Sequence, residues 1–452
     1  MRAARSGWLG THLAGFGAAE IVLDSAHPSQ AADGVRTVLA ADFNGDSFPD
    51  ILSGASSVRF GQRYSRHGTL AWSENNGSGV FTSGRNPHLI NTNLLQVDGL
   101  RGIAAADLDS DGDIDVLSAA FDARDDIAWY ENNGNGNFSL HVILPQAVGA
   151  VSVQAADLNG DGALDVLYAL KTGMSIGWYP NSGNAAVGLY NTSYIIDDSF
   201  DAATVQQVHP ADLDGDGDQD VLAITFGTSK VVWYENLDGS GSFSAQKMIS
   251  AFFDVTGATA AQAVDLNGDG HLDVLVASCY NNKIAWYAYD PTISAFGTLN
   301  IISTDVSCPK SVMGADLDGD DDVDVVSASF YDNKLAWYEN LDGAGSFGPQ
   351  QVIAIDAIGA SSVYVSDLNN DGCKDVVGAL SGADKITWYP NKCCTGHTTP
   401  SPTTSPTVSP STSPTGSPST SPTSSPSASP TVSPSIAAHW SPSTRPQARP
   451  AP

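Results

Sequence analysis

Short apolar runs recur along the chain, each cut off by acidic, glycine-rich or asparagine-rich residues, and the order in which they recur is constant. One unit shows the reading. Residues 103–108 (IAAADL) are apolar but small, as the most crowded strand of a stack of sheets requires, and residues 114–120 (IDVLSAA) are almost continuously apolar or small, which marks a strand covered on both faces. Residues 127–132 (IAWYEN) form a third strand, and the turn 132–137 (NNGNGN) leads into a fourth, 138–144. The 44 glycines and 24 prolines among 452 residues oppose long helices, so the pattern predicts an all-β chain of four-stranded antiparallel units.

The units repeat. A nine-residue acidic motif lies between the first and second strands of each and starts at Asp42, Asp107, Asp157, Asp212, Asp265, Asp316 and Asp367, 50 to 65 residues apart. A tryptophan follows each motif, mostly in a W-Y-x-N setting: Trp72, Trp129, Trp178, Trp233, Trp286, Trp337 and Trp388. A period near 50 with four short strands per unit predicts a seven-bladed β-propeller, with these tryptophans packing between blades. The seventh unit stops after its third strand, whereas residues 15–23 (GFGAAEIVL) match the fourth-strand pattern of residues 345–353 (GSFGPQQVI) with no first three strands before them. The N-terminal strand is therefore expected to complete blade seven and leave no open sheet edge.

Carboxylate or amide oxygens fall at positions 1, 3, 5 and 9 of every motif. The candidate metal ligands are Asp42, Asn44, Asp46 and Asp50; Asp107, Asp109, Asp111 and Asp115; Asp157, Asn159, Asp161 and Asp165; Asp212, Asp214, Asp216 and Asp220; Asp265, Asn267, Asp269 and Asp273; Asp316, Asp318, Asp320 and Asp324; and Asp367, Asn369, Asp371 and Asp375. Like charges this close in sequence repel unless a cation lies between them. Alternating oxygen ligands on a tight turn, with glycine at position 6 to allow positive φ, suit Ca2+ at up to seven sites. The residues at position 12 (Ser53, Ser118, Tyr168, Ala223, Val276, Ser327, Gly378) include no Glu, which excludes an EF-hand. Seven in-phase motifs over about residues 15–392 resemble the FG-GAP/VCBS repeat of integrin-α-type propellers, and the resemblance implies Ca2+ held in the loop between the first two strands of each blade. Ser47 and Asp321 depart from glycine at position 6, and the first site is the weakest match.

Composition places the molecule. With 50 acidic and 20 basic residues the formal charge is -30, and 45 of the acids are Asp, 28 of them in the seven loops. Such a chain is a poor partner for nucleic acid or an anionic membrane. No apolar stretch is long enough to span a bilayer. Residues 1–14 are expected to be a flexible N-terminus without an evident secretory signal, residues 15–394 the propeller, and residues 395–452, where Ser-Pro recurs every few positions, a disordered Ser/Thr/Pro-rich stalk. Five cysteines suggest bridges from Cys279 to Cys308 and from Cys373 to Cys393 or Cys394. With Ca2+ loops and the sequons at Asn76, Asn137 and Asn191, they point to an extracellular or cell-surface protein, read as a monomer.

Opposite the acidic loops, the second-to-third-strand and inter-blade loops share a face whose Tyr, Asn, Asp and Lys residues suit a sugar or protein ligand. Unit one carries an insertion there, residues 58–68 (VRFGQRYSRHG), so that Arg59, Arg63, Tyr64, Arg66 and His67, with Phe60, form the candidate ligand site for an acidic glycan. The nine histidines show no catalytic spacing and no catalytic residue is assigned. The expected function is an adhesion or carbohydrate/protein-binding module, with alternatives of a carbohydrate-active, polysaccharide lyase-like enzyme using His67 and Arg63, or a purely structural matrix protein.

Overall fold

The computed structural model describes residues 15–24, 34–56, 68–81, 87–90, 99–121, 126–181, 192–199, 201–250 and 254–392. Seven four-stranded antiparallel sheets make a seven-bladed propeller. Blade two consists of Leu100–Ala106, Asp115–Ala120, Ile127–Asn132 and Phe138–Leu144, hydrogen-bonded in that order. Its first strand starts three residues earlier than the apolar run at 103–108 marks, because Arg101 and Gly102 break the run in sequence yet stay in the ladder.

Arg101 is where the register slips. Leu100 pairs with Ala120 and Gly102 with Ala119, so Arg101 is skipped, and the same slip recurs in the other six first-to-second-strand pairs, at Val35/Thr37, Ala150/Ser152, Val205/Gln207, Ala258/Ala260, Pro309/Ser311 and Ala360/Ser362. A bulge of this kind bends the strand and turns the extra side chain out of the pleat.

Every second strand is buried along its whole length, from Asp50–Ala55 to Asp375–Leu380, which accounts for its almost continuously apolar or small residues after the opening aspartate. The core lies between blades. One cluster joins Val38 and Ile51 of blade one to Val377 and Trp388 of blade seven. The repeated tryptophans are 2–6 % exposed and pack across blade boundaries. A Cβ added at Gly136 of blade two would stand 2.3 Å from the Trp72 ring of blade one, and Gly241 and Gly345 meet Trp178 and Trp286 in the same way. Glycine is required at these turns both for that approach and for φ values of +67° to +82°.

Glu20–Asp24 is the outer strand of the last sheet, beside Lys385–Tyr389. Gly17 N–H donates to the Pro390 carbonyl at 2.7 Å and Lys392 N–H to that of Gly15 at 2.8 Å. The ring is thus closed by the N-terminal strand, and no blade is left with three strands. The expectations for residues 1–14 and 395–452 lie outside the described residues.

Candidate metal centres

Each acidic loop follows a first strand and folds around its own carboxylates. The position-1 carboxylate accepts the position-5 N–H at 3.1–3.3 Å and the position-6 N–H at 2.7–3.1 Å in all seven copies. The position-5 carboxylate accepts the position-7 N–H at 2.9–3.0 Å. Positions 4 and 6 are left-handed throughout. Ser47 (φ 70°) and Asp321 (φ 71°) take that conformation where the other copies have glycine at position 6, so the first and sixth loops keep the shared geometry. Position 4 imposes the same demand on Ser110 (φ 62°) and Asn370 (φ 57°), a requirement the sequence reading placed only at position 6.

The position-9 aspartate opens the second strand and is fully buried. One of its oxygens accepts the position-2 N–H, as Asp115 does from Leu108 at 3.0 Å, and the other accepts an N–H from the third strand, as Asp115 does from Asn132 at 2.7 Å. Burial pushes these carboxyls up against the pull of the two N–H donors, to about 6 at Asp115, Asp273 and Asp375, about 7 at Asp50, Asp165 and Asp220, and about 8 at Asp324. The asparagine of W-Y-x-N then fastens one loop to the next. Its side-chain amide donates to the position-2 carbonyl of the preceding blade at 2.6–2.9 Å, from Asn75, Asn132, Asn181, Asn236, Asn340 and Asn391 to Leu368, Phe43, Leu108, Leu158, Leu266 and Leu317 respectively. Blade five carries Tyr289 at this place, whose N–H still reaches Asp273 at 3.1 Å. The spacing of these asparagines was visible in the sequence; their reach into another blade was not.

The carboxylates converge most closely in copies two, four and six. Oxygens of Asp107, Asp109 and Asp115, of Asp212, Asp214 and Asp220, and of Asp316, Asp318 and Asp320 lie within 4.8 Å of one another in each group. In copies one, three, five and seven an asparagine at position 3 supplies an amide oxygen in place of the third carboxylate. Asp109 Oδ1 and Asp318 Oδ1 are buried with no hydrogen-bond partner. Burial and then the neighbouring Asp320 push Asp318 up to about 7, and burial with Asp111 raises Asp109. Buried, mutually repelling, all-oxygen donors of this kind fit a hard cation, and these clusters can hold a metal ion.

Five segments of the chain, residues 42–118, 107–168, 212–276, 265–327 and 316–378, match the model of the FG-GAP-like repeat. The chain belongs to the FG-GAP-like repeat family. Each matched segment begins at the first aspartate of one acidic loop. No curated protein matches the chain in sequence. Among solved structures, an Agrocybe aegerita lectin that recognises non-reducing terminal N-acetylglucosamine is 20% identical, with a TM-score of 0.52 over 79% of this chain and 85% of the lectin. BBS1N, solved in complex with ARL6DN, is 11% identical, with a TM-score of 0.52 over 84% of this chain and 98% of that one. At these identities the likeness is one of fold.

On the face opposite the FG-GAP-like loops, Cys279 and Cys308 form the expected disulfide. Cys373 is also disulfide-bonded, while the partners expected for it, Cys393 and Cys394, lie outside the described residues. So do Arg59, Phe60, Arg63, Tyr64, Arg66 and His67 of the insertion, and the sequon residue Asn191.

Proposed function

We propose that this chain is a calcium-stabilised binding module, displayed outside the cell on its Ser/Thr/Pro-rich tail, that engages a glycan or an extracellular protein. The observation that carries the reading is the seven-fold repetition of an all-oxygen loop, with carboxylates that crowd within 4.8 Å of one another in copies two, four and six. When bound, Ca2+ would supply the positive charge that these loops lack. Asp107, Asp109, Asp111 and Asp115, and their counterparts in the other blades, would hold it. An ion held there would brace the ring, because the position-9 aspartate belongs to the second strand and the neighbouring asparagine reaches the preceding blade.

The disulfide supports an oxidising setting, where free Ca2+ is also high enough to fill weak sites. The lectin that shares the fold supports a glycan as ligand. Within this reading the 58–68 insertion contributes Arg59, Arg63, Tyr64, Arg66 and His67 to an acidic-glycan contact.

The test is metal content after dialysis against Ca2+, followed by binding to neutral, carboxylated and sulfated polysaccharides with and without chelator, and with Arg63→Ala. Several bound Ca2+ per chain with chelator-sensitive glycan binding is expected. Folded protein that retains no Ca2+, or that releases unsaturated or reducing ends from the glycan, would overturn it.

A further inference from the structure

The bulged residues form a ring of their own. They occupy the second position of each first strand, at the end away from the acidic loop, and line one mouth of the central channel, a cavity of about 390 Å3. Three are cations, Arg36, Arg101 and Lys310; the rest are Val151, Gln206, Thr259 and Ser361. A fourth cation, Lys171, follows the second strand of blade three and lines the same cavity. Among the described residues no Asp or Glu lines it, in a chain with 50 acids and 20 bases.

Aromatic rings seat three of these cations, and Arg36 Nε donates to Ser56 Oγ. Lys171 and Lys310 lie 5.9 Å and 5.8 Å from the Phe226 centroid, Lys310 also 6.0 Å from Phe330, and Arg101 stands 5.0 Å from Phe121. Two ammonium groups thus share one ring. Burial and the charge of Arg101 lower the pKa of Lys171, and burial and Arg36 lower that of Lys310, so the mouth holds positive charge at a cost. Bulges concentrate beside binding sites because they re-aim side chains, and here seven of them aim at one opening. Gln207 lines the cavity as well; its amide oxygen accepts the Ala261 N–H of the next blade at 3.0 Å, which leaves the NH2 end as the donor for a ligand.

We infer that the channel mouth binds one acidic sugar end group, a pyranose carrying a carboxylate, with the carboxylate on Arg36, Arg101, Lys171 and Lys310 and the hydroxyls on the glutamine, serine and threonine side chains. The cavity volume is at the small end of the range for small-molecule pockets, which suits one or two sugar units. The site rests on the glycan-binding reading, and its residues belong neither to the 58–68 insertion nor to the acidic loops.

Calorimetric titration of the whole chain in saturating Ca2+ with glucuronate, galacturonate, glucose and inorganic sulfate tests it. One uronate per chain is expected, weakening with added salt, with glucose silent and affinity reduced about tenfold or more in Lys171→Gln/Lys310→Gln. Lys171→Gln alone gives a second reading should the double variant be unstable. Uronate binding unchanged by these substitutions, sulfate binding as well as uronate, or silence from folded protein would each overturn the assignment. Polysaccharide binding that persists in the lysine variants and is lost in Arg63→Ala would remove the channel site while leaving the binding-module reading intact.

Discussion

Replacing Asn132 by alanine isolates the link between neighbouring blades. The side chain is 1 % exposed and donates to the Phe43 carbonyl of blade one at 2.9 Å and to the Ile114 carbonyl of its own blade at 3.0 Å, while its oxygen accepts the Gly134 N–H at 3.2 Å. Its main-chain N–H, bonded to Asp115, survives the substitution. Alanine therefore strands two carbonyls, at about 1–3 kcal/mol each, and the turn N–H of Gly134 can turn to water. We expect a loss of about 2–6 kcal/mol. A ring of roughly 370 residues unfolds with an entropy near 0.8 kcal/mol/K, so calorimetry in saturating Ca2+ should show Tm lower by about 3–8 °C. Asn133→Ala, which alters only exposed turn hydrogen bonds, should stay within about 0.5 kcal/mol. Amide exchange should quicken at 43–47 in blade one. An Asn132→Ala protein that melts with the wild type would refute the clasp as a source of stability.

Three further outcomes follow from the same geometry. In chelator, stability should fall as pH rises from about 4 to about 7, since position-9 carboxyls such as Asp165 and Asp220, raised from 3.8 to about 7, bind more protons folded than unfolded over that window. Ca2+ should flatten the profile and release protons near pH 6; a chelated protein whose Tm climbs from pH 4 to 7 would contradict the sign. Ser47→Gly and Asp321→Gly, at φ 70° and 71°, should each raise stability by about 1 kcal/mol in denaturant titrations, and a loss would show that these side chains do more than tolerate the turn. Gly136→Ala should destabilise by more than about 2 kcal/mol, because its φ of +67° is unfavourable and its Cβ would meet Trp72; Tm unchanged would mean that the blade boundary is loose there.

The fold was legible because it repeats. Seven acidic motifs and seven tryptophans in phase define blade number, and the unmatched fourth-strand pattern at the N-terminus defines closure, because strand period and burial leave marks within a few consecutive residues. Contacts between blades leave no such mark. Asn132 and Phe43 are far apart in the chain, and nothing in W-Y-x-N says which carbonyl the amide will find. Arg36, Arg101, Lys171 and Lys310 are isolated cations in sequence and become neighbours only through the bulge and the ring. The 58–68 insertion drew notice by its length, a property that linear reading detects easily. The left-handed turn at position 4 escaped because Ser110 and Asn370 hide a backbone requirement that glycine displays elsewhere.

The closing strand also sets a timetable. Val22 and Leu23 are fully buried in the finished ring, against a strand made near the other end of the propeller, since Glu20 pairs with Trp388. At about 5–20 residues per second, a ribosome needs roughly 20–70 s to supply that partner. Throughout that interval the strand at residues 20–24 has its pairing edge and two apolar side chains waiting, while blades one to six can form beside it. Completion of the ring therefore waits on synthesis of residues 385–389, and whatever shields residues 20–24 in the meantime governs the yield of closed propeller.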